Sequence, residues 1–178
     1  MRSLVWGTLA LAMLAGCGID SSKEALESSI FRDEQRLRPL LANANSGELD
    51  DIGEGVVASL LRDYARYANG HHGDSLANVF LMRRADLLQG RGDFSAAIEQ
   101  WMNVAEGAVH SELAAEAIFR IGFIRESALQ DTLGALKAYG ELVRVYPESD
   151  WSGSAIEAAK WLSFNETEMM KVLDKGRE

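Results

Sequence analysis

Three residues of types that ligate metal ions, His71, His72 and Asp74, lie within one short stretch, and His110 occupies the corresponding place further along. Imidazole nitrogens and carboxylate oxygens are ordinary zinc ligands. The spacing, however, does not assemble a site. Adjacent histidines point in different directions, and no third ligand stands at a helical i, i+4 offset. No Ser–His–Asp set and no carboxylate pair can be placed from spacing, so acid–base and nucleophilic chemistry lack a cast. "GRGD" at 90–93 is a tight turn and helix cap, and "GEG" at 53–55 follows no strand, so neither is a phosphate loop. The expectation is no catalytic residue, no metal and no cofactor: this chain is not an enzyme.

The remaining residue with chemistry of its own is the single cysteine, Cys17. It follows Arg2 and a nearly uninterrupted apolar run over residues 4–15. That run is too short to span a bilayer, which takes about 20 residues, but it suits a secretory signal. Leu14-Ala15-Gly16-Cys17 resembles the lipobox of bacterial lipoproteins. The resemblance implies a signal peptide over 1–16, diacylglycerol on the Cys17 sulfur, and a polar lipidated tether over 17–24. Gly18, rather than aspartate, follows the cysteine, which leans toward an outer-membrane lipoprotein facing the periplasm. With Cys17 committed to lipid, no disulfide forms within the chain, and stability must come from packing.

The elements that would do the packing are helices. The chain has 178 residues, 47% hydrophobic and 25% charged, with only 2 prolines. That is enough for one sizeable core and favours helix. A formal net charge of −9 argues against a nucleic-acid backbone as partner. Residues 25–55 read as an amino-terminal helix, with Pro39 kinking or ending it, followed by a polar, glycine-rich break at 45–55.

From Val56 the pattern turns regular, and helices alternate with short turns. "AYGELVRVYPES" sets Tyr139 eight residues before Pro147, with Ser149 two later. Trp101, Val109 and Ser111 repeat the figure, as do Tyr64, His72 and Asp74, about 37 or 38 residues apart. Small residues recur as well: Ala85 with Gly122, and Ala97 with Ala135. A period of this length means helix pairs that cannot bury their apolar faces alone and must stack.

Over residues 56–163, and best at 111–162, the chain resembles tetratricopeptide repeats of the variant in small envelope lipoproteins. These include the barrel-assembly lipoprotein and the Tol–Pal coordinator. Tyr146-Pro147-Glu148-Ser149 before a helix is typical of that group; His72, Val109 and Thr132 depart from its pattern. The resemblance implies an all-α, right-handed solenoid of antiparallel helix pairs that binds other envelope proteins; residues 164–178, with Met169, Met170, Val172 and Leu173, read as a capping helix or tail over its end. Its groove would be lined by the first helix of each pair. One contributes Val79, Met82, Asp86 and Gln89, the next Glu116, Phe119, Phe123 and Glu126, and the third Ser154, Glu157, Trp161 and Phe164. Apolar residues rimmed by carboxylates suit a partner helix or extended peptide. The alternative is a peptidoglycan or polysaccharide ligand, stacked on Trp151, Trp161 or Tyr146.

Overall fold

The computed structural model describes residues 17–43 and 49–175, with side chains at 22–43 and 49–164. The apolar run and the lipobox residues before Cys17 lie outside that range. Among the described residues seven helices follow one another: α1 (Cys17–Asn43), α2 (Asp51–Gly70), α3 (Ser75–Gly90), α4 (Phe94–Gly107), α5 (Glu112–Ser127), α6 (Thr132–Val145) and α7 (Asp150–Lys175). The described residues are thus all-α. No described helix is long and apolar enough to cross a membrane.

The chain divides into two compact units, Met1–Asp63 and Tyr64–Glu178. In the first, Ile30, Leu37, Val56, Val57 and Leu60 are buried. Asp33 is buried too and accepts from Arg36 Nη1 at 3.2 Å, while Ser29 Oγ donates to Asp63 at 3.4 Å. Pro39 sits within α1, which continues to Asn43. It removes one i→i−4 hydrogen bond, and the helix ends four residues beyond it. The glycine-rich break is shorter than the sequence predicts, because α2 starts at Asp51 rather than Val56. Asp50 explains the difference: its Oδ1 accepts from Gly53 N at 2.8 Å, satisfying a first-turn donor. Asp51 and Glu54 add negative charge at the same end.

In the second unit each helix from α3 onward packs on the next, and α5 also meets α3 and α7. The repeating joint is visible bond by bond. Asp74 N, Ser111 N and Ser149 N each donate to the carbonyl three residues back, at His71, Ala108 and Tyr146. The three side chains then cap the following helix: Asp74 accepts from Leu76 N, Ser111 from Ala114 N and Ser149 from Trp151 N. Between α3 and α4 the turn places Gly92 at φ 79, and between α5 and α6 the same place holds Gln130 at φ 53. Gly73 and His110 form a second such pair at the joints, with φ 86 and 64. The left-handed conformation therefore belongs to the position, and glycine meets it without the cost a side chain adds.

Packing rests on the aromatic residue preceding each joint. Tyr64, Trp101 and Tyr139 are all buried, as are the small residues Ala85, Ala97, Gly122 and Ala135. α5 and α6 form a hairpin, since Arg125 bonds Asp131 across the turn while Gly122 faces Tyr139 further in. A Cβ on Gly122 would stand 2.5 Å from Tyr139 Cε1 and 2.8 Å from Cδ1. The ring cannot retreat easily, because its hydroxyl donates to Glu126 Oε2 at 2.8 Å. Trp101 Nε1 is buried with no hydrogen-bond partner among the described residues, so this ring is held by shape alone.

α7 runs unbroken from Asp150 to Lys175. Residues 164–175, expected as a capping helix or tail, continue that helix. No proline interrupts the run, and Ser163 Oγ bonds back to Ala159 O without ending the helix.

Two glycine substitutions separate backbone propensity from packing. Alanine in a helix interior gains about 1 kcal/mol over glycine. Gly140 has nothing within 4 Å of a new Cβ, so Gly140→Ala stabilises by up to that amount. Gly122→Ala meets the Tyr139 ring and destabilises by about 1–3 kcal/mol, the cost of overpacking a core. Urea unfolding of both variants measures the two signs.

Relief of backbone strain is measurable separately. Gln130→Gly and His110→Gly each raise stability by up to about 1 kcal/mol, because a side chain at positive φ is strained. The same denaturation series reads it.

Candidate functional site

α3, α5 and α7 carry the residues expected to meet a partner, and α5 packs against both neighbours in the set. One polar cluster ties two of them together. Arg120 Nη1 donates to Asp86 Oδ1 at 3.0 Å, and its Nη2 and Nε reach Glu116 Oε1 at 2.7 and 2.9 Å. One guanidinium thus bridges α3 to α5 while neutralising carboxylates on each. Burial raises the Asp86 carboxyl above its ordinary range, Arg120 pulls it back, and Glu116 pushes it up again.

Large apolar side chains are exposed on the same helices. Phe123 is 47% exposed, Trp161 62% and Phe164 59%. Phe119 is half-buried instead, its ring 5.0 Å from Trp151 and 5.7 Å from Tyr139. It therefore fastens α5 to α6 and α7 and is a core residue with one edge outward. Met82 is only 5% exposed and belongs to the core of α3. Val79 and Gln89 are half-buried, and Ser154 and Glu157 are exposed, with Glu157 paired to Lys160 at 2.8 Å. Glu126 is engaged by the Tyr139 hydroxyl, so this carboxylate serves the core. Burial, and then Glu126, push the Tyr139 phenol above its ordinary value.

The aromatic residues considered for a saccharide are dispersed in role. Trp151 packs on Phe119, and Tyr146 accepts from His110 N at the joint, at 3.4 Å. Only Trp161 of the three offers an open ring. The histidine cluster is likewise occupied by structure. His71 lies against Tyr67 at 4.6 Å, and the Tyr67 hydroxyl donates to Asp74 at 2.9 Å while Asp74 caps α3. No group of three His, Cys, Asp or Glu side chains that could hold a metal is gathered among the described residues.

Sequence reasoning did not find Arg120. Its signal was present: Glu116 lies four residues earlier, and Asp86 lies 34 residues earlier, at about the repeat spacing. Asp131 was also missed. It caps α6 through Gly134 N at 2.9 Å and pairs with Arg125 at 2.7 Å, and these two partners lower its carboxyl below the ordinary range. Comparison with family models, curated proteins and solved structures gives no match.

The charge cluster has a definite pH signature. The folded chain holds the Asp86 proton more tightly than the unfolded chain does. Its contribution to stability is therefore full below the ordinary value of 3.8 and is lost as pH rises through the folded midpoint. Arg120→Met removes the one influence that lowers this midpoint, so the midpoint rises; Glu116→Gln lowers it. Carboxyl-detected NMR titration reads both directions. Arg120→Met destabilises most above the midpoint and least in acid.

Proposed function

We propose that this chain is an envelope lipoprotein of tetratricopeptide type, an α-solenoid of antiparallel helix pairs anchored by lipid on Cys17, that docks other envelope proteins. The observation that carries this reading is the separation of its tertiary bonds. Arg120 reaches Asp86 over 34 residues, His110 reaches Tyr146 over 36, and Ser149 Oγ reaches Glu112 over 37. Bonds that each span roughly one repeat length fit a stack in which every repeat contacts its neighbour.

The mechanism is shape and confinement. Phe123, Trp161 and Phe164 are large apolar side chains left in water, and the Asp86, Glu116 and Arg120 charges are tied together on α3 and α5. Aromatic anchors of this kind commonly contribute about 2 kcal/mol or more each when a partner buries them. A lipid on the amino terminus keeps the docking face near one membrane and raises the effective concentration of partners there. Outer-membrane protein assembly is the first process to examine, with the periplasm as the compartment.

Two substitutions examine anchor and face independently. Cys17→Ser moves the protein from the membrane fraction to the soluble periplasm; a variant that stays membrane-bound contradicts the lipid anchor. Phe123→Ser combined with Trp161→Ser leaves stability within about 0.5 kcal/mol, as exposed changes do, and removes the proteins that co-purify from gently solubilised membranes. Unchanged co-purification sinks the docking face while leaving the anchor standing.

A further inference from the structure

Three surface grooves recur in the second unit at corresponding positions. The first is lined by the end of α2 with α3 and α4, the second by α4, α5 and α6, and the third by α6 and α7. Their apolar floors correspond: Ala68, Ala105 and Val143 form one series, and Leu81, Ile118 and Ala155 another. The walls differ. Asn69, Gln100 and Asn103 stand in the first groove where Glu106, Ala138 and Glu141 stand in the second. The repeat alone therefore does not require amides there.

Gln100 is the decisive side chain. It is only 7% exposed and lines the first groove. A primary amide carries two N–H donors and an oxygen with two lone pairs. Among the described residues the side-chain amide of Gln100 makes no hydrogen bond, and neither do those of Asn78 and Asn103, which line the same groove. Neither polar atom of Gln100 is sealed from solvent, as Trp101 Nε1 is, so the amide opens onto the groove. Buried polar groups are normally paired, and a glutamine kept here without a partner points to one that comes from outside.

The chemistry of the lining selects among ligands. A side-chain amide presents a donor and an acceptor side by side, the complement of a peptide group. Gln100 and Asn103 lie one turn apart on α4, with Asn78 on α3. No Trp, Tyr or Phe lines the groove, so a sugar ring has no face to stack on. Glu99, exposed at the same rim, has no ion pair among the described residues, whereas Arg84 and Asp74 of the same lining are already engaged within the chain. We propose that this cleft binds an extended peptide segment carrying a lysine or arginine. Asn78, Gln100 and Asn103 hold its main chain, and Glu99 meets its cation. The site shares no residue with the face formed by α3, α5 and α7, and it stands or falls independently of the docking role proposed for that face.

The test uses the full chain, labelled with nitrogen-15, and follows the side-chain NH2 resonances of Gln100 and Asn103. Three probes are titrated into the millimolar range: acetyl-Ala-Lys-Ala-Ala-amide, its glutamate counterpart, and the trimer of N-acetylglucosamine. The lysine peptide shifts both resonances saturably, and the glutamate peptide binds more weakly. Gln100→Leu weakens the lysine peptide about tenfold, the size of one or two hydrogen bonds lost, while the thermal midpoint is unchanged or higher. Asn103→Ala, a change at an exposed position, weakens it in the same direction and guards against a folding artefact. Absence of saturable shifts with either peptide overturns the proposal. So does saturation by the sugar trimer alone, which assigns the cleft to glycans, or undiminished peptide binding by Gln100→Leu.

Discussion

No helix in the second unit can hide its apolar stripe by itself, and the means by which two of them do so together is an aromatic ring laid on a small residue. Tyr139 against Gly122 is the clearest case: the ring occupies the volume that any side chain on residue 122 would need. Everything nearby serves that contact. Glu126 holds the hydroxyl, Phe119 lies tilted against the ring, and Ala115, Ala135 and Leu142 close the core around it. The gain is dispersion and desolvation of a large ring at native packing density, which depends on fit to a fraction of an ångström.

Because the ring comes shortly before a joint, the packing and the turn are coupled. Ser149 both caps α7 and reaches back along the chain: it accepts from Trp151 N and donates its hydroxyl to Glu112. This joint thus ties the helix it starts to the start of α5. The bridge from Arg120 to Asp86 does the same on the face of α3 and α5, with charge in place of a cap.

Features of the fold set by local chemistry were legible in the sequence. Asp74, Ser111 and Ser149 recur at the joints in the sequence, and each caps the helix that follows, because capping needs only a few neighbouring residues. The start of α2 was misplaced because glycines at 53 and 55 discount a helix, whereas Asp50 and the burial of Gly53 restore it. The candidate site was less legible, for a physical reason. Helical spacing places Met82 and Phe119 on a face, but whether that face is covered depends on the register of a second helix. Met82 proved to be core, and Phe119 lies between Tyr139 and Trp151. The amides of the first groove carried no motif at all, since Asn78, Gln100 and Asn103 come from two helices and acquire meaning only when α3 and α4 pack.

The proposed stacking would make each helix pair a unit held chiefly by its neighbours. Native-state hydrogen exchange, resolved by residue across α3 to α7, tests it most directly. A stack loosens from its ends, so amides of α5 and α6 should be the most protected, with α3 and the far part of α7 opening at distinctly lower free energy. One common opening free energy for all five helices, rising and falling together with denaturant, would mean a single closed bundle and contradict the account.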